Sequence, residues 1–185
     1  MSPLPPALIV IDMQKGMADP LLARNNPDAE ERIAALLAAW RRAEAPVIHV
    51  RHVSRTPGSP FWPGQQGAEF QERFKPADDA HVVDKNVPDC FVQSGLERWL
   101  RVRGIARLVI VGVSTNNSVE ASARTAGQLG FDVLVVSDAT FAFDKHDYGG
   151  TLRSAQDVHL MALANLDGEY ARVVDTAGAL AALDD

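Results

Sequence analysis

The sequence predicts a three-layer α/β/α fold, a six-stranded parallel Rossmann-like sheet with helices on both faces, in one domain over residues 1–185. Two observations carry that expectation. Short apolar runs rich in Val and Ile recur without polar alternation, as in Ala7-Leu-Ile-Val-Ile11 and Arg107-Leu-Val-Ile-Val111; such runs suit strands buried on both faces. They alternate with segments whose apolar residues fall at helical spacing, so successive strands should pair in parallel through right-handed crossovers.

Ala7–Ile11 is the first strand and ends at Asp12. A helix follows from Pro27-Asp28, with Ile33, Leu36, Leu37 and Trp40 on one face. Pro46-Val-Ile-His-Val50 is the second strand, running into Arg51 and His52. Residues Ser54 to Asp79 break the rhythm with a Pro- and Gly-rich turn segment holding Phe61 and Trp62. A connection of that length is expected to act as a lid, a subunit contact or an idle surface loop. His81-Val-Val83 is a short third strand before Asp84-Lys85, and a helix from about Gln93 to Arg103 presents Leu96, Trp99 and Leu100, with Gly104 as its stop. Arg107–Val111 is the fourth strand. Phe131–Val136 is the fifth, ending at Ser137-Asp138-Ala139; a helix over Thr151–Leu166, a sixth strand over Glu169–Val174 and a short Ala- and Leu-rich helix close the chain.

Composition narrows the function classes. Lys and Arg total 18 against 24 Asp and Glu, a formal net charge of −6, which gives no basic face for nucleic acid. No apolar run approaches the roughly 20 residues a membrane span needs. The opening Met-Ser-Pro-Leu-Pro-Pro has no basic region leading into an apolar segment, so no signal peptide is expected and the protein reads as cytoplasmic. A lone cysteine, Cys90, leaves no internal disulfide framework or cysteine-rich zinc site, and is itself expected to be packing. There is no G-x-G-x-x-G after the first strand, no phosphate-binding G-x-x-x-x-G-K-[ST] and no G-x-S-x-G elbow.

The stretch Leu108-Val-Ile-Val-Gly-Val-Ser-Thr-Asn-Asn-Ser-Val-Glu120 organises the rest: a buried strand, a polar turn, then a helix. With Asn117 as N-cap, Glu120 falls at N3 as in a capping box, and Ser118 opens the helix with its hydroxyl at the positive end of the dipole. Ligands of open parallel sheets bind at the carboxyl ends of strands, near the point where strand order reverses. Asp12 after strand one, Lys85 after strand three and Ser118 after strand four would converge there, a carboxylate, an ammonium and a hydroxyl around one crevice.

These residues carry a resemblance. Leu8-Ile-Val-Ile-Asp-Met-Gln14, Val83-Asp-Lys85 with Asp89-Cys-Phe91, Val111-Gly-Val-Ser-Thr-Asn-Asn-Ser-Val-Glu120 and Ser137-Asp-Ala139 resemble the isochorismatase-like (cysteine hydrolase) superfamily. The resemblance implies a six-stranded parallel sheet, an acid at Asp12, a lysine at Lys85, a cis peptide at Val113–Ser114 and oxyanion donors at the N–H groups of Ser114 and Ser118. Where amidase members carry a nucleophilic cysteine, this chain has Ser118. A serine hydroxyl is far less acidic than a thiol, so surroundings that generate a thiolate do not generate an alkoxide. The resemblance therefore favours isochorismatase-type chemistry, in which an aspartic acid protonates a vinyl ether and water adds. A serine-dependent amidase and a non-catalytic metabolite-binding protein are the rival readings. Gln14, Phe61, Trp62 and Asn117 are the expected substrate contacts. The partner is a small-molecule substrate, with no cofactor, and the resemblance implies a homo-oligomer. No metal is expected either: His49 and His52, three apart on a strand, should face opposite sides. His146 should be solvated and His159 a satisfied helix residue.

Overall fold

The computed structural model describes residues 4–184. Met1-Ser-Pro3, on which the expectation of no signal peptide partly rests, lies outside them. Six strands form one parallel sheet: β1 (Ala7–Ile11), β2 (Val47–His52), β3 (His81–Lys85), β4 (Arg107–Val113), β5 (Asp132–Phe141) and, late in the chain, β8 (Arg172–Val174), in the order β3-β2-β1-β4-β5-β8. Order reverses between β1 and β4, which are hydrogen-bonded neighbours, so Asp12 and the turn after β4 lie side by side at the carboxyl edge of the sheet.

Both faces are covered, as the unalternating apolar strands require. Ile9, Ile11, Ile48, Val50 and Ile110 meet α2 (Leu96–Val102), α3 (Glu120–Gln128) and α4 (Ala155–Leu166) through Leu96, Leu100, Ala123, Ala126 and Leu163. Leu8, Val10, Val109 and Val111 meet α1 (Ala29–Arg42) and α5 (Thr176–Asp184) through Ile33, Leu36, Trp40 and Ala179. No helix among the described residues is long and apolar enough to cross a membrane.

Where the structure departs from the sequence reading, local backbone chemistry explains it. The second helix starts at Leu96 instead of Gln93, because Gln93 and Gly95 both take left-handed φ and Ser94 caps Leu96 N–H. The fourth helix starts at Ala155, with the Ser154 hydroxyl accepting from Asp157 N–H. The residues before it pair instead as an antiparallel ribbon, β6 (Lys145–His146) with β7 (Leu152–Arg153). The 54–79 connection is tied down: Lys15 N–H donates to Glu69 O, Gln71 N–H donates to Met13 O, and Phe74 is fully buried.

The largest correction concerns the organising turn. Thr115–Val119 is a single π-helical turn running directly into α3, and the residue preceding it is Ser114, not Asn117. The N–H groups of Asn117 and Val119 both donate to Ser114 O, at 3.1 and 3.2 Å. Asn117 is thus inside the turn and exposed, and Glu120 forms no capping box; its carboxylate accepts from Arg124 and Asn165. The reason is that the wider i to i−5 bond lets the chain begin coiling one residue after β4 ends.

Candidate active site

Asp12, Lys85 and Ser118 come from three separate strand ends and meet in one enclosed point. Lys85 Nζ donates to Asp12 Oδ2 at 2.8 Å and to Ser118 Oγ at 3.1 Å. The three residues are 0, 3 and 5% exposed. Asp12 breaks β1 by taking a left-handed φ of 53°, which Asp tolerates better than most side chains. Below it, Gly112 pairs with Ile11 at φ 117°, where an added Cβ would stand 2.1 Å from Ile11 O. Only a glycine lets β4 approach β1 closely enough to bring the turn against Asp12.

Burial pushes the Asp12 carboxyl above its ordinary range, against the opposing pull of Lys85. One carboxylate oxygen is occupied by the ammonium; the other, Oδ1, is buried and has no hydrogen-bond partner among the described residues. The peptide bond Val113–Ser114 is cis, as the resemblance implies.

The remaining expected contacts divide. Phe61 stands edge-on to His52 with ring centroids 5.9 Å apart, and Trp62 is half-buried in the adjoining turn. Gln14 is not available to a substrate. Its Oε1 accepts from His52 N–H at 2.8 Å, and its Nε2 donates to His52 O at 2.8 Å and Ala68 O at 2.9 Å. It is a strut between the end of β2 and the long connection, because a fully buried amide must spend its polar atoms on backbone. His52, weighed from the sequence only as a metal ligand, sits close enough to Asp12 and Lys85 for both charges to act on its ring, with burial first and Lys85 second lowering its pKa. His159, expected to be satisfied, bonds the Thr115 hydroxyl at 2.8 Å and so braces the π-turn from beneath. Nothing in the sequence alone marked that link, since 44 residues separate the partners.

A cleft of about 520 Å³ borders the π-turn and is lined by Asn116, Glu120, Tyr148 and Met161, not by the three converging groups. Cys90 is buried and free, its thiol pushed up to about 12 by burial, so it is packing. His49 projects to the α1 face and His52 to the Phe61 side, and no cluster of three or more His, Cys, Asp or Glu among the described residues could hold a metal ion.

The protein is an α/β domain with a doubly covered parallel sheet and a buried acid–ammonium–hydroxyl cluster gathered at its switch point, where ligands of such sheets bind. The isochorismatase domain model matches residues 6–178. An isochorismatase-family crystal structure from Chromobacterium violaceum ATCC 12472 superposes with a TM-score of 0.94 at 47% identity, covering 100% of this chain and 98% of that one. The isochorismatase family protein YrdC of Bacillus subtilis (strain 168) is 37% identical over 92% of this chain and 91% of its own length. Streptothricin hydrolase of Streptomyces noursei is 35% identical over 75% of this chain and 50% of its own length. The chain belongs to the isochorismatase family and is a hydrolase of that family.

Proposed function

We propose that this hydrolase cleaves a vinyl-ether or related C–O bond in a small metabolite by acid catalysis at Asp12, with no covalent intermediate. The observation that carries the reading is the direction of the Lys85–Ser118 hydrogen bond. An ammonium has no lone pair to accept a proton, so Lys85 can only donate to Ser118 Oγ. The serine oxygen therefore has a lone pair engaged by a cation, so Lys85 does not serve as its base.

Asp12 has what acid catalysis needs. Its pKa is raised, and its Oδ1 is unengaged. In the proposed reaction the Asp12 proton goes to the enol carbon of a C=C–O–R group, leaving an oxocarbenium ion and an Asp12 carboxylate. Lys85 stabilises that carboxylate. Water adds to the cation and returns a proton to Asp12, and the resulting hemiketal collapses to a carbonyl compound and an alcohol. Phe61 and His52 form part of the wall, and Ser118 orients the substrate. Exposed Leu152, Tyr148 and Met161 near the neighbouring cleft support a homo-oligomer as part of the same reading.

A second reading is a serine-dependent amidase, supported by the likeness to nicotinamidase 3 of Arabidopsis thaliana, 29% identical over 91% of this chain and 84% of its own length. Turnover of enol ethers and primary amides by Asp12→Asn and Ser118→Ala separates the two. Loss only in the Asp12 variant supports acid catalysis; equal loss in both, with a trapped ester on Ser118, supports the amidase.

A further inference from the structure

At the opposite end of the sheet from Asp12, the amino ends of β2 and β3 border a second cavity of about 460 Å³. His49 lines it. That side chain is 1% exposed, yet neither ring nitrogen hydrogen-bonds to any group among the described residues. Leaving a buried donor and acceptor unpaired is costly, so such a group points to something that completes it.

The rim is charged on both sides. Arg41 and Glu44 stand on the α1 side, Asp79 and Arg103 on the β3 side, all four exposed. None of the four enters an ion pair among the described residues; Arg41 and Arg103 donate hydrogen bonds to the backbone carbonyls of Lys75 and Trp99. One wall is flat, because His81 stacks on Trp99 at 4.2 Å and 11°, and the Arg103 guanidinium carbon lies 4.1 Å from the indole centroid. A lining with two cations, two anions and a neutral donor–acceptor ring complements a molecule that is itself neutral overall but charged at both ends.

We propose that this cavity is a second binding site, for a small zwitterion bearing a carboxylate and an ammonium, such as an amino acid. Arg41 and Arg103 take the carboxylate, Glu44 and Asp79 the ammonium, and the His49 ring supplies a hydrogen bond. The cavity falls within the size range of small-molecule sites. It is separate from the hydrolytic cluster, so the proposal stands or falls without reference to the reaction at Asp12.

The test is an NMR titration of the ¹⁵N-labelled protein with glycine, 4-aminobutyrate, acetate and methylammonium, reading backbone amides and the Trp99 indole. At least one zwitterion should saturate with a Kd of about 1 mM or tighter, with shifts centred on His49 and Trp99. Acetate and methylammonium should bind at least tenfold more weakly. Arg41→Gln, a surface change that leaves the core intact, should weaken zwitterion binding at least tenfold, and His49→Phe should do the same. The proposal is overturned by no saturation with either zwitterion up to about 50 mM, by acetate binding as tightly as the zwitterions, or by shifts centred on Asp12 and Lys85.

Discussion

Lys85 Nζ lies 3.1 Å from Ser118 Oγ and donates to it, while the same ammonium holds Asp12 Oδ2 at 2.8 Å. One cation thus bridges a raised-pKa acid and a hydroxyl.

Asp12→Asn removes the transferable proton, and turnover should fall by about 10²–10⁴, the usual contribution of a positioned acid. Ser118→Ala should keep activity within about fivefold, well short of a lost acid's effect. The amide also strands a buried ammonium, at a cost of about 3–5 kcal/mol. Asp12→Asn combined with Lys85→Met should therefore recover much of the thermal stability without recovering turnover. Steady-state kinetics beside thermal melts of the three variants checks both parts.

Ser118→Cys places a thiol where an ammonium and a helix N-terminus both favour its anion, so its pKa should drop below the free value of about 8.5. Alkylation by iodoacetamide at pH 7 should modify the new cysteine and spare Cys90, whose thiol is buried and pushed up to about 12. Peptide mapping locates the adduct; modification no faster than at Cys90 would show that the ammonium does not act on residue 118.

His49 is held down to about 4 by burial, with Arg41 adding to the effect. Between its unfolded value near 6.5 and about 4, the unfolded chain binds a proton that the folded chain refuses, so stability is intact above about pH 6.5 and is lost as pH falls through that window. The loss attributable to this ring is up to about 3 kcal/mol. His52, His81 and His159 are lowered in the same sense and add to the slope. Urea unfolding at pH 7 and pH 4.5 should show a smaller pH-dependent drop for His49→Phe than for the unaltered protein.

Gly112→Ala drives a methyl group to 2.1 Å from Ile11 O at a φ of 117° that Ala does not adopt. It should cost about 3 kcal/mol or more, because backbone must move on both strands. Gly58→Ala also has positive φ but meets nothing within 4 Å, and should cost about 1 kcal/mol. Chemical denaturation of the pair separates collision from conformational strain.

What the sequence determined by itself was whatever depends on short-range pattern. Unalternating Val and Ile runs dictated strands buried on both faces; helical spacing in Ile33, Leu36 and Trp40 dictated a crossover helix, and Asp12, Lys85 and Ser118, at or beyond the ends of β1, β3 and β4, were the polar groups that meet. Tertiary structure alone decided how polar atoms are spent. Gln14 looked like a substrate contact until its amide was seen to be consumed by His52 and Ala68, groups 38 and 54 residues away. Asn117 looked like a cap until Ser114 O took the two N–H bonds of a π-turn. Likewise, Thr115 meets His159, and His49 finds no partner, only because distant segments fold over them. Local patterning is a property of neighbours along the chain and can be read there; the satisfaction of a buried polar atom is a property of neighbours in space, which exist only once the sheet has formed.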